Sequence, residues 1–315
     1  MSSSRALAAA PPGPIALKVL AALNKWQRRQ VIDLAAWRAG KARAEQNLNT
    51  VISAPELSHL DPSHGVYVYA QNQLAVLIDQ LAELPMVAKL TNAYADADDE
   101  YMPSGPPISP LTQSYFTSWG AFDLSVGVKQ ESFTTIAIAV GRRLGMVPEL
   151  LRLFEILAQS RLGIYRHEGR DGPQVILTEL ITEQRCSALV PSGYQGRVGE
   201  LWLARVLPPA PMLPKASAVV FTTPYLLGQL DDHGHYALAQ QPDWWAYFER
   251  ALPPLKSRES AYERLMKRGL SRHYWNEYIT EAYVNHREDA IYLAGLPDRP
   301  RSLPHSKAGQ ERWGN

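Results

Sequence analysis

Two stretches of this chain concentrate the residue types that bind metals or move protons. The first, ADADDEYMPSGPPISP at 95–110, places Asp96, Asp98, Asp99 and Glu100 directly ahead of Pro103, Pro106, Pro107 and Pro110. Carboxylates two apart can share a divalent cation in a metal-dependent hydrolase, but such a centre also draws carboxylates or imidazoles from other segments. A calcium loop is excluded, because counting from Asp96 puts Tyr101 where a glycine is needed and Pro107 where the closing glutamate belongs. The second stretch, LDDHGHY at 230–236, holds Asp231, Asp232, His233 and His235. On an extended strand His-x-His turns both imidazoles to one face, where Zn or Mn binds with a carboxylate such as Asp232. No H-E-x-x-H partner motif accompanies it, and Gly234 among the acids equally describes a solvated turn. Neither ligand set is complete, so no metal and no cofactor is expected.

The nucleophile candidates are weaker. Ser192 in PSGYQG lacks the G-x-S-x-G frame of a nucleophile elbow and sits among hairpin-turn residues. Cys186 falls mid-strand, where a small buried role is expected of a thiol. His167 beside Glu168 has no third partner in sequence, and the glycines match neither a P-loop nor a dinucleotide fingerprint. A basic and aromatic stretch remains, RLMKRGLSRHYWNEYITEAYVNHRED. There Arg264, Lys267, Arg268 and Arg272 are placed to meet phosphates while Tyr274, Trp275 or Tyr278 stack on bases. Leu270, Tyr274, Tyr278 and Ala282 recur every four residues, which argues instead for a core-facing stripe, and Glu277 and Glu281 offset the charge.

Composition narrows the classes. The chain has 315 residues, 46% hydrophobic and 20% charged, which describes globular material long enough for more than one core. With 32 basic and 31 acidic side chains the net charge is +1, so nothing draws the whole chain to nucleic acid or anionic membrane. One cysteine excludes an intrachain disulfide and fits a reducing cytoplasm. Prolines 11, 12 and 14 interrupt the small-residue start before an apolar signal core forms, so residues 1–14 read as a flexible arm. No stretch reaches the roughly 18 apolar residues of a membrane span.

The elements that must position these residues follow from periodicity. Helical spacing runs from Ile15 to about Leu48, in one helix or two broken near Gly40, with Lys18, Lys25, Arg28, Arg29, Arg38, Lys41 and Arg43 against Asp33 and Glu45. A second helical region, about Tyr67 to Tyr94, carries the stripe Leu74, Leu77, Ile78, Leu81, Leu84 and breaks at Pro85. Four acids at a helix C-terminus oppose its dipole. Either the helix therefore ends near Asn92 or a basic surface, the 15–48 helix or a partner, faces them. The prolines make a stiff strap over 95–114. Further helices are predicted over Glu131–Met146 and from Pro148 to a C-cap at Gly163. From there the period is 2, in GIYRHE, QVILTEL, QRCSALV, GELWLARVL and SAVVFTT, five short strands that suggest a small antiparallel barrel of SH3 or OB type. Helical spacing returns from Asp243, and the tail after Pro297 is polar.

The block PSGYQGRVGELWLARVLPP followed by VVFTTPYLL, and the earlier DDEYMPSGPPISPLTQSYFTSW, resemble segments of an uncharacterised bacterial protein family, the barrel part being similar to the small β-modules attached to SEC-C-type proteins. The resemblance covers a third to a half of the chain. It implies a barrel and a bacterial cytoplasmic setting and carries no functional residue.

The expectation is thus an α+β protein. A helical domain spans 15–162, a barrel 163–227, a C-terminal helical segment 228–296 and a loose tail 297–315. Function leans away from an enzyme, towards a protein-binding or adaptor component with Asp96, Asp98, Asp99, Glu100 and Tyr101 at the contact surface. The alternatives are a nucleic-acid-associated factor and a metal-dependent hydrolase.

Overall fold

The computed structural model describes residues 11–28, 42, 53–101, 112–213, 217–221, 223–230, 236–238, 241–242, 244–245, 248, 257–267, 283–286 and 291–294. The helical half begins with α1 (Pro14–Arg28), which has no acid in its own first turn. Its N-terminus is capped from a distance: the buried carboxylate of Glu131 accepts the backbone N–H groups of Ile15 and Ala16, both at 2.9 Å. A helix leaves these donors orphaned, and a carboxylate satisfies them with the favoured sign of charge. Gly13 is required here, since a Cβ on it would stand 2.3 Å from that carboxyl carbon.

After the short α2 (Ala54–Leu57) comes α3 (Pro62–Ala82), opened by Asp61, whose side chain accepts from Ser63 N–H, and by Pro62 in the first turn. The break expected at Pro85 is a single 3₁₀ turn, Pro85–Val87, before α4 (Ala88–Tyr101). Then follow α5 (Thr112–Phe122), α6 (Phe133–Leu144) and α7 (Pro148–Leu157). A capping box of Ser132 and Thr135 starts α6, and Gly145 ends it at φ 74°. The C-cap expected at Gly163 is overturned. Helix α7 stops at Leu157, and Gly163 lies inside β1 with Glu179 so close that a Cβ would meet its Cγ at 3.1 Å.

All five predicted strands form: β1 (Arg161–Asp171), β2 (Gln174–Glu179), β3 (Arg185–Leu189), β4 (Leu201–Leu207) and β5 (Ala218–Val220). They pair in the order β1-β2-β3-β5-β4, and β4 returns to β1, so the sheet closes and removes its edges. The barrel is mixed, because β3 and β5 run parallel while its other pairs are antiparallel. β6 (Tyr225–Leu230) continues along β4 and turns back into β7 (Tyr236–Leu238). The expected helical segment 228–296 holds at α8 (Arg258–Tyr262) and the π turn Glu263–Lys267. It gives way at β7, at β8 (Tyr283–His286) and at β9 (Ile291–Ala294), where β9 lies parallel to β6 and β8 pairs β9.

Strand β4 shows how the halves join, for all seven of its residues are buried. Trp202, Ala204 and Val206 point into the barrel among Tyr165, Val175, Leu177 and Val220. Leu201 and Leu203 point outward onto Tyr115, Phe116, Trp244, Phe248 and Tyr262. On that outward face Arg205 forms an ion pair with Asp123, just past α5, each side chain 1% exposed. A third core unites α1, α3, α6 and α7 through Val19, Leu74, Ile136, Phe154 and their neighbours.

Candidate functional site

Helix α3 lays Gln71, Leu74, Ala75, Ile78, Asp79 and Ala82 on one face, at the i, i+3, i+4, i+7, i+8, i+11 spacing of an α-helix, along the wall of a pocket of about 220 Å³. Thr91 and Tyr94 of α4 form the second wall. Thr117, Ser118, Gly120, Ala121 and Phe122 of α5 form the third, with Phe133 at its end. The space exists because small residues stand where helices usually interlock. Tyr94 sets one edge of its ring against Gly120, where a Cβ would meet Cε2 at 2.3 Å, and its ring stands tilted against Phe116 with centroids 5.0 Å apart. Ala75, Ala82 and Ala121 leave the rest open.

The rim is acidic. Across 62–101 and 112–122, the span that holds the three helices, the charged residues are Asp79, Glu83, Asp96, Asp98, Asp99 and Glu100 against Lys89; six minus one leaves −5, within a chain of +1. Burial pushes the Asp79 carboxyl above its usual range, and the Glu83 charge four residues on pushes it further. Tyr94 is also raised, first by burial and then by Asp98 one turn along α4, while a hydrogen bond with Thr117 works the other way. Among the described residues no lysine or arginine forms an ion pair with Asp79, Asp96, Asp98 or Asp99. Chemically the pocket offers apolar contact, hydroxyls and the Asp79 carboxylate; among the described residues its lining holds no His, Cys or Lys.

Of the residues singled out in sequence, Asp96 and Asp99 are exposed and Asp98 half-buried in the last turns of α4. Helix α4 runs on through Glu100 and Tyr101, so the helix does not end near Asn92. The acids sit where they oppose the dipole. Of the expected basic helix at 15–48, α1 packs on the 3₁₀ turn and α6, and Asn24 accepts from Arg143, while Arg29, Arg38, Lys41 and Arg43 lie outside the described residues. The side chains of Glu100 and Tyr101, and the prolines in 102–111, lie outside the described residues. Arg264 is exposed and Lys267 half-buried in the π turn; Arg268 and Arg272 lie outside the described residues. So do Asp232, His233 and His235. Among the described residues no group of three or more His, Cys, Asp or Glu is placed to hold a metal.

The barrel contains two polar clusters that periodicity did not reveal. His167, 2% exposed, donates Nε2–H to the Gln195 carbonyl at 3.0 Å, which leaves Nδ1 as a buried lone pair with no partner among the described residues. Its ring packs on Trp202, whose Nε1–H donates to Glu200, and the Tyr194 hydroxyl donates to the same carboxylate. Gly196, at φ 65°, lets the loop close over this group, since a Cβ would stand 2.4 Å from the Trp202 ring. The second cluster surrounds Glu179, whose carboxylate accepts from Ile181 N–H, Thr182 N–H and the Thr182 hydroxyl. Cys186 lines a small cavity beside it, and burial pushes that thiol up to about 11.

Compared with known protein families, curated proteins and solved structures, the chain matches none of the three.

Proposed function

We infer that this protein is a non-catalytic binding component whose partner is another protein, and that the pocket between α3, α4 and α5 receives the partner. One observation carries the reading: an apolar concavity open to solvent, walled by three helices, whose described lining holds hydroxyls and the Asp79 carboxylate but no His, Cys or Lys. Helix grooves of this kind take an anchoring side chain of a partner segment. A nucleic-acid role is less well supported, because basic side chains on the barrel and α8 are engaged by acids: Arg161 by Glu259, Arg166 by Glu168 and Arg258 by Glu183. A cytoplasmic adaptor in a bacterium is the setting we propose. Among the described residues no helix is long and apolar enough to cross a membrane.

Ala75→Trp tests this. Ala75 is exposed at the pocket wall, so an indole there covers the opening without entering the core. Captures from the source cell with wild type and variant should differ in at least one stoichiometric protein, retained only by wild type, while the two show the same melting temperature. Identical captures overturn the reading.

A further inference from the structure

We propose that the segment this pocket recognises is cationic: an apolar anchor side chain with lysine or arginine close by in the partner's sequence. This rests on the protein-binding reading and names the chemistry of the partner. The argument is charge complementarity at a shaped site. Asp79 is part of the pocket wall itself, and Glu83 stands four residues on, at the C-terminal cap of α3. Asp98 continues the α4 stripe of Thr91 and Tyr94 at the i, i+3, i+7 spacing, so it follows the wall one turn on. Two sides of the opening therefore carry carboxylates, while the floor made by Leu74, Ile78 and Phe122 is apolar.

The remaining acids reinforce the field. Asp96 and Asp99 are exposed in the final turns of α4, where the helix dipole adds negative potential. Lys89 is the one cation on 62–101 and 112–122, against six carboxylates. A neutral partner gains nothing from these carboxylates, and an acidic one is repelled by them. A basic one is steered to them and then held by the apolar anchor.

The test uses the full chain as bait for a random peptide library displayed on phage, with Ala75→Trp as counter-selection. Peptides enriched on wild type alone should carry an aliphatic or aromatic residue with Lys or Arg nearby. The best of them, measured by fluorescence anisotropy, should bind Asp79→Asn/Glu83→Gln about tenfold more weakly at low salt, with the difference shrinking at high salt as screening predicts. Ala75→Arg, which adds a cation at the wall, should abolish binding. Enrichment of neutral or acidic peptides, or binding indifferent to the charge variants, overturns the cationic assignment and leaves the pocket reading standing. No enrichment over the Ala75→Trp background overturns both.

Discussion

Arg205 of β4 and Asp123 at the end of α5 meet as an ion pair buried between the barrel and the helical half, and Arg205 Nη1 also donates to Ser160 at 2.9 Å. Among the described residues Asp123 Oδ1 and Arg205 Nε have no hydrogen-bond partner. The guanidinium lies 5.3 Å over the Phe122 ring. Removing one partner strands the other charge in an apolar junction. Asp123→Ala should therefore cost about 3–5 kcal/mol in urea unfolding, whereas Asp123→Leu with Arg205→Met should recover most of that loss. Equal costs for the single and double variants would show that the pair is net stabilising in its own right.

Glu131 holds the start of α1 across 115 residues of sequence. Glu131→Ala should expose the Ile15 and Ala16 amides to faster hydrogen exchange and cost about 1–2 kcal/mol, in the range of a lost helix cap. Gly13→Ala should do the same for a steric reason, because the added methyl takes the place of the carboxyl group. Unchanged exchange at Ile15 in both variants would refute the cap.

Acid should loosen the barrel loop over His167. Burial holds this imidazole below its ordinary value of 6.5, outweighing the Gln195 hydrogen bond and the attraction of Glu200 and Glu168, with Arg170 adding to the depression. The unfolded chain then takes up a proton that the folded chain refuses. The contribution to stability is full above pH 6.5 and is lost as pH falls from there towards the folded value. His64 is depressed by burial as well, so His167→Gln should flatten only part of the slope of melting temperature against pH between 7 and 5. A His167→Gln slope identical to wild type would refute the assignment.

Cys186 should resist alkylation. With its thiol raised to about 11 by burial, the thiolate fraction at neutral pH is roughly a hundredfold or more below that of a free cysteine. Iodoacetamide labelling of native protein should lag that of urea-unfolded protein by at least that factor. Equal rates would mean the strand opens readily.

What the sequence determined by itself is the local grammar. Residue spacing on α3, the break at Pro85 and the alternation of β1 to β5 are written within a few residues, because proline sterics and a two-residue side-chain period act at that range. The acids at 96–100 were equally legible as residues, but their placement was not: local electrostatics favours ending the helix near Asn92, and the packing of Tyr94 and Ala97 into the cores carries it on to Tyr101. Strands β8 and β9 depend on β6, more than fifty residues earlier, and a strand without its partner has no reason to be extended. The same holds for the pocket. Gly120, Ala121 and Ala75 are unremarkable small residues until three helices meet around them, and Asp123 and Arg205 carry no sign of each other until the barrel closes against α5. Only the tertiary structure decides contacts between residues far apart in the chain, because their free energy comes from burial and from charges brought together after the local elements have formed.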